Sequence, residues 1–354
     1  MHVMVIPADR GGCGNYRLAW PAQAVSGVRE DWYVSVVPPE RVQAGFRNEK
    51  FIGVQGFPKP LPDVVVMQRV GTPGQFHVLQ WAQQQGVATV VDFDDAMWCI
   101  DTGNAAWASW NRSATQHWKW CDRAAGIADL VTVTTDALAR RYARHGRVEV
   151  IPNYVPAAAT RLPLQREPGG LTAGWAGFTR THPGDCRVSA PAATAVLQEG
   201  GRLHVIADAP GAAREWGLED EQVGSTGPQP LGPKYFGSLS VLDLMLVGLR
   251  DTPFNRAKST LKVIEAGAAG AVSIAPDNAP HRVLARSGYP VALAASPRQW
   301  ADHAAAFARE SAETRAERAA EIRRLTAERW TIEGNAERWA RAWERAAARG
   351  RRAA

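Results

Sequence analysis

Cysteine is scarce in this 354-residue chain, and long apolar runs are missing altogether. The four cysteines, Cys13, Cys99, Cys121 and Cys186, stand far apart and form no C-x-x-C pair, which argues against both a zinc site and a disulfide framework. They read as isolated reduced thiols. No stretch approaches the roughly 18 apolar residues of a membrane-spanning helix. Met1 leads directly into a short apolar run ending at Pro7, without the basic and long apolar regions of a signal peptide. The expectation is a soluble, cytoplasmic protein. Charge of one sign is scarce too. Lys plus Arg exceed Asp plus Glu by only +6, and the largest regional surplus, +3, falls on residues 301–354. That segment is rich in Arg, Glu and Ala and reads as a solvated helix with paired charges, so charge alone does not demand a nucleic-acid partner.

What the chain does have is 45% hydrophobic residues and enough length for two cores of ordinary domain size. Apolar runs at Val3–Ile6, Tyr33–Val37, Val64–Gln68, Thr89–Asp92, Leu130–Thr134 and Glu149–Ile151 alternate with helical stretches, which predicts a mostly parallel, doubly wound sheet over residues 1–155. Residues 156–170 hold three prolines and Gly169-Gly170 without apolar periodicity and suit a linker. The alternation restarts over 171–325 with strands at Leu171–Trp175, Leu203–Ala207, Leu242–Val247 and Ala271–Ile274. Helix is expected from Trp300 to about Arg349, broken near Thr331–Gly334, with 326–354 closing the chain. The fold class is therefore α/β, with two Rossmann-like halves.

The most informative segment runs from Asp251 to Ser273. Pro253 and Asn255 mark a loop, Ser259 and Thr260 open a helix, and Lys258, Lys262 and Glu265 fall on one helical face. A helix start with hydroxyls and two lysines suits a diphosphate, and a Glu two turns in can accept both hydroxyls of a ribose diol. The same spacing also describes an ordinary exposed Lys/Glu face.

The run Phe254–Val272 resembles the nucleotide-sugar-binding segment of family four glycosyltransferases of the GT-B fold. The resemblance implies two Rossmann-like domains facing a cleft and a C-terminal helix crossing back to the first. It implies a donor ribose on Glu265 and a diphosphate at the helix start, near Lys258, Ser259, Thr260 and Lys262. In many members a second Glu stands eight residues earlier; here that place is Ala257, which leaves Asn255 or Lys258 near the transferred sugar. Gly174–His182 resembles the family's donor phosphate loop, with Gly177 and Thr179 admitting the backbone and Arg180 as the phosphate cation, against the alternative of a surface arginine. Asp129–Thr135 with Val150–Val155 resembles the end of the family's first domain. Ser240–Leu246 resembles the strand before the ribose helix, where Asp243 reads as structural.

Three further features stay open. The loop Asp9–Arg17 holds Gly12 and Gly14, but Arg17 stands where a dinucleotide fingerprint needs its third glycine. In the resembled family this turn faces the cleft, which places Gly12, Gly14, Tyr16 and Arg17 on the acceptor side. The turn, with the following Trp20-Pro21-Ala22-Gln23, resembles glycosyltransferases encoded by actinobacterial phages. Asp92, Asp94 and Asp95 leave the C-terminal edge of a strand, where open α/β sheets bind ligands. They read as a metal-binding D-x-D, as acceptor-binding carboxylates with Asp94 taking the acceptor proton, or as turn caps, and the resemblance implies no metal. Trp98, Trp107, Trp110, Trp118 and Trp120, near Arg112, His117 and Lys119, read as sugar- or base-stacking surface or as packing.

Taken together, the resemblance implies transfer of a hexose from a UDP-sugar or GDP-sugar to an acceptor hydroxyl, with retention and without a further cofactor. Arg180 and Lys258 would stabilise the leaving diphosphate. A phage setting, with the enzyme in the host cytoplasm, would make a hydroxymethylated DNA base, a virion protein or a glycan the acceptor. A sugar-nucleotide epimerase of the same architecture and a non-catalytic nucleotide- or carbohydrate-binding protein are the alternatives.

Overall fold

The computed structural model describes residues 1–112, 115–166 and 170–353. The first sheet contains β1 (His2–Ile6) and β2 (Tyr33–Val36); a separate hairpin, β3 (Gln43–Arg47) and β4 (Lys50–Gln55), follows; then come β5 (Val64–Gln68), β6 (Ala88–Phe93), β7 (Leu130–Val133) and β8 (Val148–Val150). Six of these form one parallel sheet in the order β2-β1-β5-β6-β7-β8. The second half supplies β9 (Thr172–Gly177), β10 (Arg202–Ala207), β11 (Val223–Thr226), β12 (Leu244–Leu246), β13 (Val272–Pro276) and β14 (Val291–Ala294). They form a second parallel sheet in the order β11-β10-β9-β12-β13-β14.

The central strands β5 and β6 are buried at every residue, the signature of strands covered on both faces. One face of the first sheet packs on helices such as Pro73–Gln84 and His117–Ile127. The other packs on the helix Trp20–Val28 and on the last helix, Ala336–Ala353, whose Trp339 and Trp343 are each 1% exposed beside Val3, Val5 and Val64. Burying a tryptophan removes about 150–250 Å² from water, worth roughly 4–6 kcal/mol of transfer free energy apiece as an upper bound. The chain end is thus a structural part of the first half.

The chain passes between the halves twice, and the two crossings lie side by side. The Val155 N–H donates to the Trp330 carbonyl at 3.0 Å, and the Ile332 N–H to the Val155 carbonyl at 2.8 Å. Within the stretch expected as a linker, Ala157–Arg161 is a 3-10 helix packed on the helix Ala312–Arg329, whose Arg323 donates to the carbonyls of Thr160 and Leu162. Residues 167–169 of that stretch lie outside the described residues. The C-terminal helical region has one more break than expected, because Ser311 caps a new helix after Ala308 and its side chain accepts from the Thr314 N–H.

Candidate functional site

Parallel strands deliver their following loops to the C-terminal sheet edge, and here both sheets turn that edge toward one cleft of about 450 Å³. Lys258, Lys262 and Glu265 come together on the second-half wall, so the Lys/Glu face of the helix Leu261–Ala268 is not a solvated surface.

Glu265 is 5% exposed and accepts two tyrosyl hydroxyls. Tyr235, on the helix Pro233–Leu239, donates at 3.0 Å, and Tyr16 donates a short bond from the other half of the molecule. Burial raises the carboxyl above its ordinary value, opposed by Lys262 and by the two hydroxyls. Lys262 donates to the Ala176 carbonyl and stands 5.4 Å over the Trp175 ring, and burial lowers its ammonium. Gly177 makes room for it: with φ +149°, a Cβ there would sit 2.9 Å from the Trp175 ring and 3.3 Å from Lys262 Nζ. Lys258 Nζ lies 4.4 Å from the Phe254 ring centroid and 3.2 Å from Asp95 Oδ1, an ion pair across the cleft. Ser259 Oγ accepts from Asn153 Nδ2 at 2.9 Å, a further bond between the halves. Behind that bond lies a separate cavity of about 310 Å³, and Thr260 lines it rather than the main cleft.

On the first-half wall, Gly12, Tyr16, Arg17, Asp94 and Asp95 all line the cleft. Gly14 is a packing glycine, since a Cβ there would fall 1.9 Å from the Asp9 carbonyl oxygen. Arg17 and Asp92 correct the expectation of free cleft groups. Both side chains are 0% exposed and form an ion pair at 2.7 Å, with Arg17 also donating to the Ile151 carbonyl and Asn153 Oδ1, and Thr132 donating to Asp92. Arg17 thus touches the cleft as a buried brace, and Asp92 is spent inside the sheet.

Asp94 has a partner that sequence spacing did not suggest. Arg69 leaves the end of β5 with φ 50°, and its guanidinium grips Asp94 through two bonds of 2.6 Å. Register explains the meeting, because Gln68 pairs with Asp92 across β5 and β6, which sets the next residues side by side. Burial pushes the Asp94 carboxyl up, but the Arg69 charge and hydrogen bonds, with smaller help from Cys13 and Arg17, leave it below the ordinary aspartate value. A carboxylate so held is a poor proton acceptor and a good fixed charge.

The donor-side expectations for Gly177, Thr179, Arg180 and Asn255 do not meet the cleft. Arg180 is exposed and absent from the cleft lining, while the Thr179 N–H and hydroxyl are taken by Asp208, whose carboxylate also caps the helix Ala209–Trp216. Asn255 is 6% exposed and turned inward, donating to Asp185 Oδ1 at 2.8 Å and to the Arg250 carbonyl. Asp243 is structural, accepting from the Thr172 N–H and pairing with Arg166. His182, two residues beyond Arg180, lines the cleft instead. Of the tryptophans, Trp110 lines the cleft, whereas Trp98 and Trp118 lie under Arg141, and Trp120 under Arg123.

Among the described residues no group of three or more His, Cys, Asp or Glu side chains is placed to hold a metal ion, and no helix is long and apolar enough to cross a membrane. Asp92 and Asp94 each spend their charge on an arginine.

No protein-family model matches this chain, and no curated protein does. Solved structures do. Anabaena Alr3699/HepE in complex with UDP-glucose aligns over 97% of this chain and 99% of its own, at 12% identity and a TM-score of 0.62. Sucrose-phosphate synthase from Thermosynechococcus elongatus aligns over 97% and 98%, at 15% identity and a TM-score of 0.58. AviGT4, a glycosyltransferase involved in avilamycin A biosynthesis, aligns over 98% of each chain, at 16% identity and a TM-score of 0.57. The two parallel-sheet halves align with these structures over nearly the whole of each chain: the chain has the GT-B fold.

Proposed function

We propose that this protein is a glycosyltransferase that moves a sugar from a nucleoside diphosphate sugar to an acceptor hydroxyl. The observation that carries the reading is the convergence of a buried Glu265 with Lys258 and Lys262 on one cleft wall. Glu265 already accepts two hydroxyls from tyrosines, the hydrogen-bonding task that a ribose diol would set it. Lys258 and Lys262 would face the diphosphate, and their charges would stabilise the negative charge that grows on the leaving group as the sugar–phosphate bond breaks. Support also comes from the fold, whose solved examples include complexes with UDP and with UDP-glucose.

The acceptor would enter from the first-half side, past Gly12, Tyr16, Asp94 and Asp95. Asp94, fixed by Arg69, would orient a hydroxyl rather than remove its proton. Retention at the anomeric carbon, and a DNA base, virion protein or glycan as acceptor, are carried by the sequence resemblance alone. No metal or further cofactor is part of the proposal.

The experiment is incubation with radiolabelled UDP- and GDP-glucose and with hydroxymethylated DNA, protein or oligosaccharide. The expected result is acceptor-dependent release of nucleoside diphosphate with label on one acceptor class. Conversion of the sugar to its epimer without any acceptor would identify an epimerase instead. Binding without turnover under every condition would identify a binding protein.

A further inference from the structure

The chemistry proposed above assigns nothing to His182, although it lines the cleft beside the two lysines. Its ring stands edge-on to Trp175, 6.2 Å between centroids, and its Nδ1 lies 3.2 Å from Asp185 Oδ2. Asp185 is 2% exposed, and its other oxygen accepts from Asn255 Nδ2 at 2.8 Å and from the Arg250 N–H at 2.9 Å. A carboxylate held on both oxygens can only accept, so it selects the imidazole tautomer with the proton on Nδ1. Nε2, on the opposite edge of the ring, is left as an acceptor.

An acceptor is the wrong group beside a bound anion, and the surroundings explain why it is uncharged when the cleft is empty. Burial, with Lys262 and Lys258 adding repulsion, holds the imidazole down to about 4 against the pull of Asp185. Asp185 and the two lysines act on the ring directly; behind the loop, Glu215 accepts from the N–H groups of Gly184 and Cys186, and Arg250 pairs with Asp101. A diphosphate entering beside the lysines brings negative charge that cancels their repulsion and attracts a proton, while Asp185 stays in place to stabilise the imidazolium.

We propose that His182, oriented by Asp185 and Asn255, is a third cation of the diphosphate subsite, neutral in the empty cleft and protonated from solvent when a nucleoside diphosphate group enters beside Lys258 and Lys262. The proton returns to solvent when the diphosphate leaves, so no net proton enters the transfer reaction. The assignment deepens the nucleotide-sugar reading and rests on it. It also gives a role to Asn255, which acts on the cleft through Asp185 rather than by touching the sugar.

The test is calorimetric titration of the full chain with UDP-, GDP-, ADP- and dTDP-glucose, carrying the tightest binder through pH 6 to 8 in buffers of different ionisation enthalpy. The diphosphate of such a sugar nucleotide has no proton of its own to exchange in this range. Wild type is expected to take up as much as one proton on binding, with the association constant falling by up to about tenfold per pH unit above the bound-state value of His182. His182→Asn and His182→Gln are expected to bind with little proton uptake and a flat pH profile; the two variants guard against one failing to fold, which their unfolding midpoints report. Binding by wild type without proton uptake, or equal uptake in wild type and both variants, overturns the assignment and leaves the nucleotide-sugar site standing. No binding of any of the four by wild type overturns both.

Discussion

Tyr16→Phe should make this protein bind a sugar nucleotide more tightly. In the empty cleft the Tyr16 hydroxyl occupies one oxygen of Glu265 and Tyr235 occupies the other. A ribose diol has to displace at least one of them. Removing the Tyr16 hydroxyl weakens the empty state and leaves the bound state untouched, so the lost bond reappears as affinity. A hydrogen bond to a charged group is worth about 1.5–3 kcal/mol. Water can enter a cleft of about 450 Å³ and replace part of it. The lower figure, ~1.5 kcal/mol, corresponds to roughly tenfold tighter binding. Glu265→Ala moves the other way, because it removes the acceptor on which both ligand and tyrosines depend. The assay is calorimetric titration with a sugar nucleotide of both variants and wild type. Weaker or unchanged binding by Tyr16→Phe would show that Tyr16 does not compete for the place of the ribose.

Arg180→Ala should change sugar-nucleotide affinity by less than about threefold, because the side chain is exposed and outside the cleft lining. Lys258→Ala, which removes a cleft cation and its bridge to Asp95, should weaken affinity by about tenfold or more, and parallel titrations compare the two. Arg17→Met should leave Asp92 buried without its partner and cost about 3–5 kcal/mol. Thermal unfolding followed by circular dichroism should then show a midpoint lower by roughly 4–7 °C; a change under 2 °C would mean the pair is not the brace described.

The central parallel strands of both halves were legible because most are short, almost continuous apolar runs, as burial on both faces requires. The hairpin β3–β4 was not. Its strands mix polar and apolar residues, and its turn uses Asn48 and Glu49 at positive φ where a glycine would have announced it. The edge strands β11 and β14 are four residues each and carry too little pattern to stand out. In the site, Lys262 and Glu265 were legible because the helix Leu261–Ala268 fixes their mutual placement, whereas Lys258, expected on the same helical face, stands in the loop just before that helix and reaches the cleft from there. Arg69 was not, because its meeting with Asp94 depends on the register of two strands rather than on local spacing. Arg180 and His182 lie two residues apart on one short loop, and only the turn at Thr179–Thr181 decides which of them faces inward. Asn255 failed for a related reason: its backbone lies near the cleft while its side chain is drawn to Asp185 behind it.

In the proposed function, Glu265 and the lysines beside it form a nucleotide-sugar site. The most direct measurement is a calorimetric panel of UDP-, GDP-, ADP- and dTDP-sugars against wild type and Glu265→Ala, with the folded state of each checked by circular dichroism. At least one sugar nucleotide is expected to bind wild type with a stoichiometry of about one and to bind folded Glu265→Ala more than about tenfold more weakly, as the loss of a hydrogen-bond acceptor for the ribose requires. No binding to wild type, or equal binding to both proteins, would contradict it.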